Sequence, residues 1–370
     1  MRLMVTGGGT GGHVYPALSA LEAVLDQPSA GAKAEDILWV GSHEGVERDI
    51  VGRTAYGYAA VSTGPLRGAN PLQALQSGWL ILRGAWQARG LLRRWRPAAV
   101  LATGGFVSVP MALAAWLRRV PLLVYLPDME PGLAVKALAR IATRVAVSFE
   151  PAAQHLPGAV VTGYPVRRVL FETSRDDARA ALALERDTPM LLVMGGSRGA
   201  RSINQALQQA LPRLLPRVQV LHITGLVDYD ECLAMRAQQP AELQARYHVY
   251  AYLHEEMVLA LAAADLVIAR SGAATLGEFP AVGLPAVLVP YPYAGQHQRV
   301  NAAYLADAGA AIVLEDDRLA QELLPALERL LGDREALQRM SLAARALSKP
   351  RAAARIAEEL VSIAKGGRHG

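Results

Sequence analysis

An apolar run that breaks into a glycine-rich turn and leaves it as a helix occurs twice in this chain, and few folds accept that pattern. The first copy is Arg2-Leu3-Met4-Val5-Thr6, then Gly7-Gly8-Gly9-Thr10-Gly11-Gly12-His13, then a segment in which Leu18, Leu21, Val24 and Leu25 share a helical face. The second is Pro189-Met190-Leu191-Leu192-Val193-Met194, then Gly195-Gly196-Ser197-Arg198-Gly199-Ala200, then a helix over 202–215. Short apolar strands alternate with small-residue turns and helices through both halves. The spacing predicts strands at 2–6, 37–42, 58–63, 98–103, 121–126, 144–148 and 159–163, then at 189–194, 218–224, 247–253, 266–270, 285–290 and 310–314. Such alternation points to an α/β chain of two Rossmann-like domains, each a parallel sheet covered by helices.

At 370 residues the chain exceeds a typical single core, and 52% apolar with 19% charged residues is the profile of a folded protein. The junction is expected at Gly163-Tyr164-Pro165-Val166-Arg167, giving a first domain over 1–163 and a second over 164–344. A terminal helix within 345–366 carries Ala352, Ala353, Ile356, Leu360 and Ile363 at helical spacing and is expected to pack back on the first domain. The lone cysteine, Cys232, rules out an internal disulfide or a cysteine-based zinc cluster and favours a reducing cytosol. Met1-Arg2 leads straight into a strand, so no signal peptide is expected. The uncharged stretch 98–117 is long enough to span a membrane. Thr103-Gly104-Gly105 and Ser108-Val109-Pro110 interrupt it, which is the turn chemistry of strand, glycine loop and helix.

The net charge of +5 is unevenly placed. No acidic residue occurs between Asp49 and Asp128, whereas Arg53, Arg67, Arg83, Arg89, Arg93, Arg94, Arg96, Arg118 and Arg119 all do. Four of the five tryptophans, Trp79, Trp86, Trp95 and Trp116, are interleaved with them. Arginines attract anionic headgroups and tryptophans settle at the lipid–water boundary. Nucleic acid also takes basic and aromatic residues, and a solvated helix with its tryptophans in the core is the third possibility. The amphipathic set Leu72, Leu75, Trp79, Leu80 and Leu82 favours a face that docks on an anionic membrane, with no nucleic acid partner.

Glycines without a Cβ let the 7–12 turn bring backbone N–H groups against a polar or anionic ligand, and Pro16 suits the first turn of the helix that starts there. His13 is the only side chain of the motif able to move a proton near neutral pH. Gly7, Gly9 and Gly12 also satisfy the dinucleotide fingerprint, but the strand 37–41 is followed by Ser42-His43 with Glu44 arriving late, which argues against it. A tight turn with a surface histidine is the plain alternative. Ligands of such sheets bind beyond the strand ends, where the loops after Thr6 and Thr103 would meet. In the second half, the 195–200 turn forms another anion cradle. The stretch 270–278 repeats the strand, turn and helix, with Glu278 about one and a half turns in, where a carboxylate can accept from a ribose diol or be an ordinary surface glutamate. Gln296, His297, Gln298 and Asn301 collect amides and imidazole suited to a polyol. Asp228 and Asp230 have the spacing of a metal-binding pair but lie in a helical stretch, and no metal or cofactor is expected.

Taken in order, 7–13, 103–108, 195–200, 270–278 and His297-Gln298 to Asn301 resemble the N-acetylglucosaminyltransferases of peptidoglycan synthesis, glycosyltransferase family 28, over nearly the whole chain. The resemblance implies a GT-B fold, with two domains facing a central cleft. It implies that the second domain holds UDP-N-acetylglucosamine (UDP-GlcNAc) as a substrate: Ser197 and the 195–200 amides on the diphosphate with Arg167 nearby, Tyr252 and Leu253 beside the uracil, Arg270, Ala274, Thr275 and Leu276 around the nucleotide, Glu278 on the ribose, and His297 and Gln298 on diphosphate or sugar. Thr10, Gly11, Gly12, Gly104, Gly105 and Asp128 would line the first domain's side of the site. That domain would bind a lipid-linked acceptor at the cytoplasmic face of the membrane, as a peripheral protein. His13 is then the candidate general base for the C4 hydroxyl of N-acetylmuramic acid. The chain departs from the family pattern at Tyr125-Leu126-Pro127-Asp128, where His-Glu-Gln-Asn is usual, and at Tyr164 in place of asparagine. Those changes bear on the acceptor side and make another lipid acceptor, such as a diacylglycerol, the near rival; a UDP-GlcNAc 2-epimerase and a non-catalytic UDP-sugar scaffold are the other rival expectations.

Overall fold

Both sheets form because runs such as Leu3-Met4-Val5 and Leu191-Leu192-Val193 can bury both faces at once. The computed structural model describes the chain outside residues 65–70, 197–198, 294–296 and 367–370, and no side chains at 71–74 and 133. The strands are β1 (Leu3–Thr6), β2 (Ile37–Gly41), β3 (Gly57–Ala60), β4 (Ala99–Ala102), β5 (Leu122–Leu126), β6 (Arg144–Val147), β7 (Val160–Val161), β8 (Met190–Met194), β9 (Gln219–Ile223), β10 (Tyr247–Tyr250), β11 (Leu266–Ala269), β12 (Ala286–Leu288) and β13 (Ala311–Val313). The first sheet has the order β3-β2-β1-β4-β5-β6-β7 and the second β10-β9-β8-β11-β12-β13. All pairings are parallel. Each expected strand is present, most of them shorter by a residue or two. Three strands are shorter by three residues each, β7, β10 and β12, and of these β10 ends at Tyr250 and leaves Tyr252 and Leu253 in the loop before the helix Met257–Ala263.

Two compact units result, one comprising Met1–Arg167 with the chain from Lys349 onward, the other Arg168–Ser348. The terminal helix Ala352–Gly366 lays Ile356, Leu360 and Ile363 into the core formed by Leu18, Leu21 and Val24 of the helix Gly11–Leu25 and by β1. That burial, at about 25 cal/mol per Å² of apolar surface, ties the chain's end to its beginning.

In each sheet the strand order reverses beside its first strand, between β1 and β4 and between β8 and β11. Loops leaving such neighbours depart to opposite faces and open a crevice at the strand ends. The glycine turns 7–12 and 103–108 therefore adjoin, as do 195–200 and 270–274. Stretch 98–117 resolves into β4, the glycine loop and the helix Ser108–Leu117. No helix among the described residues is long and apolar enough to cross a membrane.

Candidate active site

In the first unit the glycine turn is bonded on every side. Trp39 Nε1 donates to Gly7 O at 3.2 Å, Gly8 N to Gly104 O at 3.3 Å, and Gly9 N to Glu47 Oε2 at 3.1 Å. Two of the loop's N–H groups are thus used internally. What remains for a ligand is the helix start, where Thr10 is the exposed N-cap and the N–H groups of Gly11 and Gly12 have no acceptor within the helix. Gly104 and Gly105 have φ of +109° and +79°. A Cβ on Gly104 would lie 2.9 Å from His13 Cδ2, and one on Gly105 would lie 2.3 Å from Gly8 O. Glycine is required at both positions by conformation and by space.

His13 sits half-buried in the first turn of the helix Gly11–Leu25. Its Nδ1 is 3.0 Å from Gly8 O and 3.3 Å from Thr10 Oγ1. A carbonyl can only accept, so Nδ1 carries the proton and Nε2 keeps its lone pair. That is the tautomer a general base needs.

The departures from the family pattern fall differently than expected. Leu126 closes β5 with its side chain in a small core of Val147, Ala152 and Leu156, so it packs the fold and offers nothing to an acceptor. Tyr164 is buried as well. Asp128 remains half-buried at the start of the loop that follows β5. Arg167 belongs to the first unit and not to the second, with its guanidinium 5.4 Å from the Tyr15 ring centroid, two residues along the helix from His13.

In the second unit the turn after β8 is drawn tight: Gly199 N donates to Gly196 O at 2.8 Å, and Gly199 has φ +79°. Ser197 lies outside the described residues. The neighbouring loop is fixed by the helix His297–Asp307, because Asn301 Nδ2 donates to Ser271 O at 3.0 Å and Ser271 Oγ to Gln298 O at 2.7 Å. Gln298 Oε1 accepts from Tyr291 N at 2.9 Å. These bonds bring His297 and Gln298 beside the 271–278 turn. His297 Nδ1 is buried and has no hydrogen-bond partner among the described residues, a group left for something to satisfy. Thr275 Oγ1 donates to Gly272 O at 2.7 Å and Leu276 is buried. The regular helix starts only at Thr275, after Ala274, so Glu278 stands half-buried in its first turn, nearer the helix start than its sequence position suggested. Arg270 is committed to the fold: its guanidinium bonds Asp316, Ser202 Oγ at 2.7 Å and Val289 O at 3.3 Å, and lies over the Tyr291 ring. Leu253 is buried, while Tyr252 is exposed with its ring tilted against His254. Asp228 accepts from Asn204 Nδ2 at 2.8 Å, a structural role, and no cluster of potential metal ligands occurs among the described residues.

The basic face is also visible. On the helix Pro71–Trp95, Leu75, Trp79, Leu82 and Trp86 recur at spacings that make one stripe, and all are more than half exposed, Trp86 by 77%. Arg83 lies over the Trp79 ring at 5.5 Å, and Arg89, Arg93 and Arg94 are exposed further along. Trp116 and Leu117 project from the end of Ser108–Leu117, which packs beside that helix. Trp95 is the exception, half-buried against the core with Arg2 over its ring. Arg67 and the Leu72 side chain lie outside the described residues.

Sequence reasoning overlooked Glu47. It noted Glu44 as a late candidate for a ribose-binding acid, but the buried carboxylate lies three residues on and turns back to the glycine loop. Its nearest signal was the two glycines that precede it, Gly41 and Gly45, each with no room for a Cβ beside the Glu47 side chain.

The N-terminal domain of glycosyltransferase family 28 matches residues 3–147 and its C-terminal domain residues 190–356. A Roseiflexus sp. (strain RS-1) protein called UDP-N-acetylglucosamine–N-acetylmuramyl-(pentapeptide) pyrophosphoryl-undecaprenol N-acetylglucosamine transferase is 42% identical, over 96% of this chain and 94% of its own. A protein of the same name from Desulforudis audaxviator is 41% identical over 99% of this chain and all of its own length. Among solved structures, Acinetobacter baumannii MurG superposes with a TM-score of 0.73 at 28% identity, covering 97% of this chain and 98% of that one. UDP-GlcNAc 2-epimerase from Neisseria meningitidis superposes at 0.70 with 14% identity over 98% of this chain and all of that one, and shares the fold.

Proposed function

The chain belongs to glycosyltransferase family 28, and we infer from that membership that it transfers N-acetylglucosamine from UDP-GlcNAc to the C4 hydroxyl of N-acetylmuramic acid in undecaprenyl-pyrophosphoryl-MurNAc-pentapeptide. The product is lipid II, the disaccharide precursor of peptidoglycan. The chain works as a peripheral protein at the membrane that holds its lipid-linked acceptor.

The observation that carries the proposed chemistry is the 3.0 Å contact of His13 Nδ1 with the Gly8 carbonyl, which assigns the ring proton to Nδ1. With Nδ1 donating to Gly8 O, Nε2 is free to take the proton of the attacking hydroxyl as its oxygen closes on the anomeric carbon and UDP leaves. Negative charge then grows on the diphosphate, where fixed N–H donors stabilise it. The amides of the 195–200 turn and Ser197 are assigned that work, and the Nδ1 of His297, buried with no hydrogen-bond partner among the described residues, supports a place for it at the donor. Glu278 is assigned to the ribose, Tyr252 and Leu253 to the uracil, and Gln298 to the sugar. Ala274, Thr275 and Leu276 shape the nucleotide site, with Arg270 holding the loop through Asp316. Thr10, Gly11, Gly12, Gly104, Gly105 and Asp128 are assigned to the acceptor side. The stripe Leu75, Trp79, Leu82 and Trp86 with its arginines is assigned to the membrane.

The test is release of UDP from UDP-GlcNAc by purified protein with and without a lipid I analogue, alongside the His13→Ala variant. Acceptor-dependent release that falls by about 100-fold or more in the variant supports both the reaction and the base. UDP-ManNAc formed from donor alone would mark an epimerase instead, and activity confined to diacylglycerol would replace the acceptor.

A further inference from the structure

The Gly8–Gly9 peptide unit is hydrogen-bonded at both ends to ionisable side chains. Its carbonyl accepts from His13 Nδ1 at 3.0 Å, and its N–H donates to Glu47 Oε2 at 3.1 Å. In a trans peptide these two groups point in opposite directions within one plane, so a single amide bridges the imidazole at one edge and the carboxylate at the other. Glu47 is 1% exposed. Its other oxygen accepts from Ser42 N at 2.9 Å and Ser42 Oγ at 2.6 Å. Three donors and no facing acceptor are the surroundings of a carboxylate, and no ion pair to it occurs among the described residues. A buried carboxylate without a cation is costly, and hydrogen bonds alone offset that cost here.

From this geometry we propose that Glu47 is a positioning residue for the general base, acting on His13 through the Gly8–Gly9 peptide. The inference rests on the assignment of His13 as the base. An anionic acceptor on the amide N–H draws electron density toward the carbonyl oxygen, strengthening the next bond in the chain by roughly 10–30%. The strengthened carbonyl holds the proton on Nδ1, keeps Nε2 as the basic nitrogen, and stabilises the imidazolium once the acceptor's proton has arrived. A histidine–carboxylate pair does the same by direct contact. Here the proton stays on Nδ1 throughout, and no proton passes through the amide.

Two further features fit this arrangement. The carboxylate is packed so closely that a Cβ on Gly8 would lie 2.4 Å from its Cδ and one on Gly45 2.3 Å from it, which fixes the glycines around it. Gly105 closes the other side of the same peptide, with space for no Cβ against Gly8 O.

The experiment compares Glu47→Gln, which keeps the shape and removes the charge, with Glu47→Asp, which keeps the charge and shortens the reach. Steady-state kinetics with a lipid I analogue are paired with calorimetry of UDP and with ¹⁵N NMR of the His13 ring, assigned by the signal missing in His13→Ala. In the wild type the neutral ring is expected to show its proton on Nδ1. Glu47→Gln is expected to lower kcat by about 10-fold or more, the range seen when the partner that orients a functional imidazole is removed. KM for UDP-GlcNAc and UDP affinity should stay within about twofold, because the donor site belongs to the other unit, and the ring should shift toward the Nε2–H form. Glu47→Asp should retain more activity than Glu47→Gln. A Gln variant with wild-type kcat, a loss of kcat with an unchanged tautomer, or a Gln variant more active than the Asp variant overturns the proposal. Full activity in His13→Ala would instead remove the assignment of the base itself.

Discussion

The Thr103 hydroxyl donates to the His13 carbonyl at 2.6 Å, joining the loop after β4 to the first turn of the helix that follows β1. The bond crosses the point where the strand order reverses, so it fixes the separation of the two glycine loops. Thr103 is buried and leaves no room on the other side: a Cβ on Gly7 would lie 2.0 Å from its hydroxyl oxygen. Thr103→Val keeps the branched shape and deletes the donor. It should cost about 1 kcal/mol of stability in urea unfolding and lower kcat several-fold while leaving UDP affinity unchanged. Equal losses in kcat and in UDP binding would show that the bond does not act locally.

What the sequence made legible was whatever local pattern determines. All the strands were visible because a strand buried on both faces has to be a short apolar run, and the glycine turns because only glycine takes φ of +109° or +79° at Gly104 and Gly105. The pairing of loops followed from strand order. Side-chain direction was not legible. Leu126 stood where the resemblance led one to expect a glutamate, yet its side chain joins Val147, its register partner in β6, and Leu156 beyond the next helix. Arg270 looked available to a ligand until Asp316, 46 residues on, met it. Glu47 was missed because its donors, Gly9 and Ser42, lie on two different loops.

Glu278 occupies the first turn of the helix Thr275–Val282 beside the loop that Asn301 and Ser271 hold in place. Its assigned work is to accept from the ribose hydroxyls. Hydrogen bonds to a charged group contribute about 1.5–3 kcal/mol, so Glu278→Ala should weaken UDP binding by about 10-fold or more. Calorimetry with UDP and with uracil alone checks this: only the ribose-bearing ligand should respond. Equal affinities in variant and wild type remove Glu278 from the ribose.

Leu75, Trp79, Leu82 and Trp86 expose a tryptophan-containing stripe on a helix whose far end presents Arg89, Arg93 and Arg94. The two parts respond to different conditions. Replacing the three arginines by glutamine should weaken binding to anionic vesicles by about 1 kcal/mol per residue at low salt, and by less as salt screens the attraction. Trp79→Ala with Trp86→Ala should weaken it at every salt concentration, because burial of apolar surface is not screened. Sedimentation with vesicles at two ionic strengths separates them, and a salt-independent arginine effect would contradict the electrostatic role.

Inside the second unit, His222 is fully buried between two partners, Asn204 Oδ1 at 2.9 Å from Nε2 and the Tyr247 hydroxyl at 2.9 Å from Nδ1. The amide oxygen can only accept, so Nε2 carries the proton and Nδ1 accepts from Tyr247, which is the neutral ring. Burial pulls its pKa from 6.5 down to about 3. Between those values the unfolded chain binds a proton that the folded protein does not, so this residue's contribution to stability is complete above pH 6.5 and falls as the pH drops toward 3. The fall approaches about 1.4 kcal/mol per pH unit well inside that window. His248 is lowered in the same direction, first by burial and then by the Arg236 charge, so the wild-type slope combines the two residues. His222→Gln isolates one of them. The variant should be less stable at pH 7 by about 1–3 kcal/mol through its unpaired neighbours, yet lose less stability between pH 6.5 and pH 5 than the wild type does. Urea unfolding at both pH values checks the difference, and parallel slopes would assign the acid sensitivity elsewhere.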